Sequence, residues 1–286
     1  MTKFVVVPQW QGSGSSRAMQ LIDGAEAIRG DLPTAATTLV HVPTEAGEAL
    51  DTDIRRASSL VTTAELQRQA LVGIDEPVIT IGGDCGVELA SVGEALRRDP
   101  GIAVVWFDAH GDLNTPLSSP SGSFSGMVAR ALTGEGAAML LPQAPLDPAR
   151  LVLVGVRDLD DGELAHIEER GIPMVSSVMT SAAEVVAAVE ATGADRVYLH
   201  VDVDVLDPAV IAGVSSAVPF GLELGTLLDC ITALRARFGF AGAGVTGFSP
   251  GSPDAAADDL GTILRIIGAI SREPKPDSTN PTGVTP

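Results

Sequence analysis

Two short acidic segments of this sequence carry side chains of the types that bind metal ions. The first is Asp-Ala-His-Gly-Asp at 108–112, and it follows the apolar run 102–107. An apolar run of this length predicts a buried strand of a parallel sheet. Alternate side chains of an extended backbone share one face, so we expect Asp108, His110 and Asp112 to point the same way.

The second segment repeats this design further along the chain. Another apolar run, 196–201, ends in Asp202-Val203-Asp204. In open α/β sheets, ligands collect beyond the carboxyl ends of the parallel strands. The two strands are therefore expected to deliver five candidate metal ligands to one place.

Carboxylates with one imidazole suit Mn²⁺ or Mg²⁺ better than a thiolate-rich site would. More than four such ligands predict two ions, roughly 3.5–4 Å apart, that share carboxylates and hold a hydroxide at neutral pH. The implied chemistry is metal-assisted hydrolysis. The alternative is that each aspartate only caps a helix or starts a turn. Two clusters of unpaired negative charge, however, would be costly without cations.

The elements that position these segments alternate between short strands and longer helices. Strands are predicted at 4–7, 38–42, 77–81, 102–108, 151–154, 172–175, 196–201 and 241–248. Helices are predicted at 17–29, 64–71, 87–98, 127–132, 160–170, 182–191, 223–238 and 258–271. This alternation predicts an α/β fold with a mostly parallel sheet and helices on both faces. We expect one domain over 1–272 and a disordered tail at 273–286, which lacks an apolar period.

Composition narrows the possible partners and compartment. The chain has 286 residues, 37 of them acidic and 18 basic, for a net charge of −19. This balance argues against nucleic acid and anionic membranes as partners. The two cysteines, Cys85 and Cys230, suit a reducing compartment. The sequence shows neither a signal segment nor a membrane-spanning run, so a cytoplasmic location is expected.

Three motifs resemble those of the ureohydrolases, the family of arginase and agmatinase. They are Gly-Gly-Asp-Cys at 82–85, the 108–112 segment, and His-Val-Asp-Val-Asp-Val-Leu-Asp-Pro at 200–208. The resemblance covers about 79–250 in matching order. It implies a three-layer α/β/α fold, a binuclear Mn²⁺ centre, and attack of a metal-bridging hydroxide on the guanidino carbon of a small substrate. It also suggests a homo-oligomer, although the sequence itself leaves the oligomeric state open.

The resemblance also implies a role for each acidic residue of the two segments. Asp108 and Asp202 would bridge the two metal ions. Asp112 would bind the first ion and relay a proton to the leaving amine. His110 and Asp204 would bind the second ion.

Among family members, Asn114-Thr115-Pro116 is more similar to arginase than to agmatinase. By this resemblance Asn114 and Ser121 would hold the α-carboxylate of an amino acid, and Asp160 would bind its α-amino group. Ser216 falls where arginase has a hydroxyl near the substrate. For Asn114 alone, ordinary turn chemistry explains the residue equally well.

Three positions depart from the family pattern. Cys85 stands where the family has a histidine ligand of the first metal ion, and it is either a softer thiolate ligand or a small buried residue. We therefore expect weak binding or oxidation sensitivity at that site. Ser125 replaces an active-site histidine, and a hydroxyl is a poor acid or base near neutral pH. Gly247 aligns with the glutamate that engages the guanidinium, so a charged substrate would lack its counter-charge.

An N-hydroxyguanidine would reconcile these losses, because its hydroxyl withdraws electrons and lets the group stay neutral near pH 7. Its N-hydroxy group is expected near the metal ions or Ser125, where it could share in proton transfer. The pattern resembles the branch of the family that converts Nω-hydroxy-L-arginine to hydroxyurea and L-ornithine in D-cycloserine biosynthesis. The alternatives are another guanidino or formimino hydrolase, or a non-catalytic protein that kept the fold.

Two further residues have open roles. His200 shares a face with Asp202, so it could support a metal ligand from behind or simply belong to the core. Asp84 is expected to cap the helix that begins near Cys85, or to orient a ligand.

Overall fold

A computed structural model describes residues 2–273 of the chain. Its centre is one sheet of eight parallel strands in the order β2-β1-β3-β8-β7-β4-β5-β6. The strands are β1 (Lys3–Val7), β2 (Thr37–Leu39), β3 (Val78–Gly82), β4 (Ala103–Phe107), β5 (Leu151–Val154), β6 (Met174–Val175), β7 (Arg196–Asp202) and β8 (Gly239–Thr246). The predicted parallel sheet is confirmed.

Helices cover both faces of this sheet. They are α1 (Gln20–Gly30), α2 (Ala57–Leu71), α3 (Glu88–Arg98), α4 (Val128–Leu132), α5 (Asp161–Arg170), α6 (Ala182–Ala191), α7 (Leu224–Arg237) and α8 (Pro253–Ser271). Alternate residues of β4 enter two different cores. Val105 and Phe107 pack with α1, α6, α7 and α8, whereas Val104 and Trp106 pack with α2 to α5. The three-layer α/β/α architecture is therefore confirmed.

Some predicted boundaries were wrong, for local reasons. Helix α2 begins at Ala57 instead of 64, because its first turns are rich in Ser and Thr and give a weak apolar signal. Helix α8 begins at Pro253 instead of 258, where the Ser252 hydroxyl accepts from the Ala255 N–H at 3.2 Å. All but the first residue of the predicted tail, 273–286, lies outside the described residues.

The order of the strands decides where the acidic segments meet. Strands β3, β8, β7 and β4 are consecutive neighbours in the sheet, and their carboxyl ends lie at one edge. The segments that follow them therefore converge although they are far apart in sequence. Between residues 2 and 273, no helix is long and apolar enough to cross a membrane.

The central strands carry much of the packing, which a pair of leucines can test. Leu199 on β7 is fully buried, whereas Leu117 is 93% exposed. We expect Leu199→Ala to lower the free energy of unfolding by about 2–5 kcal/mol, because it removes buried apolar contacts and leaves a cavity. Leu117→Ala should change it by less than about 0.5 kcal/mol. Chemical denaturation of both variants measures this difference, and equal losses would contradict the assigned burial.

Candidate metal centre and active site

Four neighbouring strand ends supply the site. Cys85 starts a short 3₁₀ turn, Cys85–Val87, just after β3, and Asp108 directly follows β4. Asp202 is the last residue of β7, and Gly247 follows β8. Since the backbone leaves the sheet at these points, the strands hold Cys85, Asp108 and Asp202 at a cavity that Gly247 also lines.

The backbone that carries Asp112 to the site is not the extended strand that was predicted. Strand β4 ends at Phe107, and Asp112 has a positive φ of 52°. The expectation of one extended run from 108 to 112 is therefore wrong, although the three side chains do come together. An aspartate in this left-handed conformation carries local strain that its surroundings must offset.

Among the described residues, two groups of side chains place metal-ligating atoms within 4.8 Å of one another. One group comprises Cys85, Asp108, Asp112 and His200, and the other comprises Asp108, His110 and Asp204. Asp108 belongs to both groups, whereas Asp112 is in the first and His110 and Asp204 are in the second. The bridging role of Asp108 and the assignment of each ligand to one ion stay predictions.

His110 is directed toward the second group by its Nδ1 atom. That nitrogen lies 3.2 Å from an oxygen of Asp108 and 3.2 Å from an oxygen of Asp204. The other ring nitrogen, Nε2, lies 3.4 Å from the hydroxyl of Ser216. Ser216 therefore contacts a candidate metal ligand as well as the cavity.

Asp202, expected as the second bridging residue, is outside both groups of the described residues. Its carboxylate accepts from Cys85 Sγ at 2.9 Å, from the Thr246 hydroxyl at 3.2 Å and from the Asp204 N–H at 2.9 Å. Its bridging role stays a prediction. The contact with Cys85 puts the thiol among the acidic groups, as its position in the sequence motif suggested.

Burial governs the charge state of these groups. Burial, and then the charge of Asp108, raise the pKa of Asp112 well above its usual range. Burial and the charge of Asp202 do the same to the pKa of Asp204. Burial and neighbouring carboxylates also raise the pKa of the Cys85 thiol. Without a cation, the folded site therefore favours the neutral forms of these ligands.

Asp108 behaves differently because two imidazoles flank it. Burial acts to raise its pKa, but the neighbouring imidazoles of His110 and His200 outweigh burial and lower it. Burial likewise acts against the charged form of His200, yet its contacts with Asp108 and Glu88 raise its pKa to about 10. Asp108 is thus held as a carboxylate at the point shared by both groups.

Unpaired buried polar atoms also indicate that these residues fit divalent metal ions, and this observation does not depend on charge. Within the described part of the chain, Asp112 Oδ2 and His200 Nε2 are buried without a hydrogen-bond partner. Buried polar atoms rarely lack partners in native proteins. Because both residues belong to the first group, an ion bound there could satisfy these atoms. Oxygen and imidazole donors around Asp108 are those that Mn²⁺ and similar ions accept.

A cavity of about 400 Å³ opens over the ligands. Its lining includes every predicted site residue: Cys85, Asp108, His110, Asp112, Asn114, Ser121, Ser125, Asp160, Asp202, Asp204, Ser216 and Gly247. Residues predicted for metal binding and for substrate binding therefore share one space. The size suits a small molecule such as an amino acid.

Asn114 and Asp160 form a polar pair at the wall of this cavity. Asn114 Nδ2 donates to Asp160 Oδ2 at 2.8 Å, and Ser118 donates to Asn114 Oδ1 at 2.8 Å. Asp160 is also the N-cap residue of α5, and its N–H donates to the Glu163 carboxylate at 2.9 Å. The start of helix α5 therefore holds Asp160, and through it Asn114, in a fixed position.

The serines predicted near the substrate occupy different depths. Ser121 is exposed, and its hydroxyl accepts from the Ser123 N–H at 3.2 Å. Ser125 is half-buried, and its N–H donates to the Gly12 carbonyl at 3.0 Å. Both serines line the cavity, so both can contact a bound ligand, and their predicted roles stay predictions.

Sequence reasoning missed Glu163 and Glu88. The Glu163 carboxylate accepts from the N–H groups of Asp160 and Leu113, and the Asp-x-x-Glu spacing at 160–163 was an available capping-box signal. No local pattern marks Glu88. Asp84 was predicted as a cap, and its carboxylate does accept from the Gly86 N–H at 2.8 Å. Although burial raises the Asp84 pKa to about 6, Gln9 also donates to it at 2.9 Å.

Comparison with known proteins agrees with this geometry. A family model described as the arginase family matches residues 13–258. The chain belongs to the arginase family. Enzymes of this family are hydrolases of small guanidino substrates such as arginine, and they typically carry two manganese ions.

Individual members of the arginase family show how far the likeness extends. An arginase of Staphylococcus aureus is 32% identical over 68% of this chain and 67% of its own length, and other staphylococcal arginases match over about half of theirs, 51%. An Nω-hydroxy-L-arginine amidinohydrolase of Streptomyces lavendulae is 30% identical over 79% of this chain and 83% of its own. The crystal structure of Entamoeba histolytica arginase with L-ornithine superposes with a TM-score of 0.83 at 22% identity, over 94% of this chain and 99% of that one.

The charge states predict a pH-dependent effect of metal on stability. In the unfolded chain, Asp112 and Asp204 ionise near pH 3.9; in the folded protein without metal they ionise at a higher pH. Because the folded state then binds more protons than the unfolded state, the free energy of unfolding falls as the pH rises above about 4. The raised pKa values of His110 and His200 act in the same direction above about pH 6.5. The chelated protein should therefore melt at a lower temperature at pH 8 than at pH 6.

Added Mn²⁺ should reverse this loss, because it replaces the displaced protons. At one fixed concentration, about 100 times its dissociation constant at pH 8, Mn²⁺ should raise the melting temperature at pH 8 by roughly 5–10 °C. The same concentration should raise it by less at pH 6, where protons compete for the ligands. Thermal scans with EDTA and with Mn²⁺ measure both effects. Asp112→Asn is the control, because it removes a carboxyl group whose pKa differs between the folded and unfolded states and should flatten the pH dependence. An Mn²⁺ effect of equal size at every pH would contradict the assignment.

Proposed function

We propose that this arginase-family hydrolase converts Nω-hydroxy-L-arginine to hydroxyurea and L-ornithine. The observation that carries the proposal is Gly247 at the edge of the cavity, where the resemblance to arginase places the glutamate that engages the guanidinium. Without that glutamate, a protonated guanidinium would enter the cavity without its paired carboxylate.

The backbone at Gly247 rules out a simple substitute for that glutamate. Its φ is +84°, a conformation that side chains rarely adopt. A Cβ atom built there would collide with the carboxylate of Asp202. The Asp202 carboxylate therefore occupies the space beside residue 247, and a glutamate at 247 would displace this candidate metal ligand.

A hydroxyguanidine suits such a cavity better than a guanidine does. The electron-withdrawing hydroxyl lowers the basicity of the group, so a larger fraction is neutral near pH 7. A neutral group needs no counter-charge, and it loses less hydration than a cation on entering a partly enclosed site. Ser125 lines the same cavity and offers a hydroxyl that can exchange hydrogen bonds with the N-hydroxy group.

The chain supplies ligands, proton handling and orientation to this hydrolysis. Two bound Mn²⁺ ions would contribute Lewis acidity and an activated water molecule. Asp112 lines the cavity, and its Oδ2 makes no hydrogen bond to any described residue. By the resemblance to arginase, Asp112 would accept a proton from the activated water and pass it to the departing ornithine amine as the bond from carbon to that amine breaks.

The far end of the cavity suits the amino-acid part of the substrate. Asp160 provides a negative charge for an α-amino group, and the second amide hydrogen of Asn114 is available to an α-carboxylate. The relative from Streptomyces lavendulae, named for the proposed activity, supports this choice at 30% identity. The arginases among the relatives favour the second candidate, hydrolysis of L-arginine itself.

Ornithine release from the two substrates at equal concentration separates these candidates. With Mn²⁺-loaded protein, we expect kcat/KM for Nω-hydroxy-L-arginine to exceed that for L-arginine by at least about 100-fold, since an unpaired buried charge costs about 3 kcal/mol or more. Chelated protein and Asp112→Asn serve as controls, and both should be inactive. Equal or faster turnover of arginine would overturn the proposal. No turnover of either would favour another guanidino substrate or a non-catalytic protein.

Asp160→Asn tests recognition of the α-amino group. Asparagine caps a helix as well as aspartate does, so the start of α5 and the melting temperature should be retained. Loss of the negative charge should raise KM for Nω-hydroxy-L-arginine by roughly 10-fold or more with little change in kcat, because the contact is remote from the reacting carbon. Steady-state kinetics give the two constants separately. An unchanged KM would remove Asp160 from the substrate-binding residues.

A further inference from the structure

One buried histidine of the first metal-ligating group is not explained by the ligand set carried over from the family. His200 lies on β7 and is fully buried. Its Nε2 atom is 3.5 Å from Asp108 Oδ2 and makes no hydrogen bond to any described residue. A buried imidazole nitrogen that faces a carboxylate cluster without a partner needs an explanation.

The opposite side of the ring fixes its orientation. Glu88 is fully buried at the start of α3, and its Oε1 lies 2.9 Å from His200 Nδ1. Tyr198 donates its hydroxyl proton to Glu88 Oε2 at 2.6 Å. Because the carboxylate can only accept from the ring, this network assigns a proton to Nδ1. Nε2, on the side of Asp108, is then the nitrogen that can exchange its proton for a metal ion and offer a lone pair.

The surroundings of this histidine are shaped to hold it. Trp106 stacks on the imidazole with ring centroids 3.6 Å apart and planes 21° apart. Gly244 on β8 leaves room for the Glu88 carboxylate, since a Cβ atom there would collide with it. The network is therefore built from three adjacent strands and one helix, and it gives the ring little freedom to turn.

We propose that His200 Nε2 is a ligand of the first metal ion and supplies the imidazole that is missing at Cys85. The proposal deepens the metal centre assigned above and rests on it. Atoms of Cys85, Asp108, Asp112 and His200 lie within 4.8 Å of one another. Ligands on opposite sides of one ion, with bonds of roughly 2.0–2.4 Å, are separated by no more than that.

Glu88 acts as the positioning residue in this arrangement. Metal-binding histidines almost always donate their other ring N–H to a carboxylate, a carbonyl or water, which sets the ring orientation and makes the ligand more basic. The first ion would then have thiol sulfur, imidazole nitrogen and carboxylate oxygen as donors. The second ion would have only imidazole and carboxylate donors, so the first site is the softer of the two.

Nitrogen coupling to bound Mn²⁺ tests the assignment directly. The variant His110→Gln removes the imidazole of the second group while leaving the surroundings of His200 unaltered. Pulsed EPR of this variant, with and without ¹⁵N-labelled histidine, should still show a directly bound imidazole nitrogen. Adding His200→Gln should abolish that coupling and lose the first-site equivalent of metal, measured by elemental analysis after dialysis.

Two variants separate ligation from a structural role. Glu88→Gln should weaken first-site Mn²⁺ binding by roughly 10–100-fold, as loss of the carboxylate partner of a metal-bound histidine does. Tyr198→Phe is the matched control, because it removes a hydrogen bond to Glu88 but keeps the imidazole and its acceptor. It should retain the nitrogen coupling and shift the affinity less than Glu88→Gln does.

The outcomes distinguish this inference from the proposed function. If His110→Gln binds Mn²⁺ without nitrogen coupling, His200 is not a ligand, and the metal centre still stands when native protein binds two ions and turns over substrate. If native protein binds no metal, both proposals fail. Because the decisive variant is His110→Gln, a folding defect of His200→Gln would not rescue a negative result.

Discussion

Buried negative charge at the carboxyl ends of adjacent strands is the constraint on which the rest of the site depends. Four aspartates lie there, and none is more than 7% exposed: Asp108, Asp112, Asp202 and Asp204. So many carboxylates cannot all ionise in a buried space without cations. The structure responds by holding Asp108 as a carboxylate between two imidazoles, while its neighbours retain protons until an ion displaces them.

This constraint also explains why the two halves of the centre differ. His110 is only half-buried and contacts Ser216 at the cavity, whereas Cys85 and His200 are buried beneath it. The half formed by Asp108, His110 and Asp204 faces the substrate space with ligands that the sequence motifs predicted. The deeper half departs from the family at Cys85, and its compensating group is held by Glu88 from the far side.

The sequence predicted the sheet and the convergence of the acidic segments well, because apolar runs ending in Asp fix both the strand and its open end. The predictions were wrong where a strand or helix begins or ends. Asp112 enters through a left-handed residue, and helix α2 begins seven residues earlier than its apolar period suggested. The pairing of Glu88 with His200 depends on the packing of α3 against β7, and no local pattern encodes that contact.

The absence of a carboxylate at Gly247 follows from the same electrostatics. A cationic guanidinium would offset part of the buried negative charge, and a glutamate beside it would restore that charge. If the glutamate is absent and the substrate is a neutral hydroxyguanidine, the net charge set by the aspartates and the metal ions stays nearly unchanged. Removing it while using a cation would place a positive group near two metal ions without the carboxylate that pairs with it. With the proposed neutral substrate, Gly247 would therefore leave the metal ligands alone to set the charge of the site.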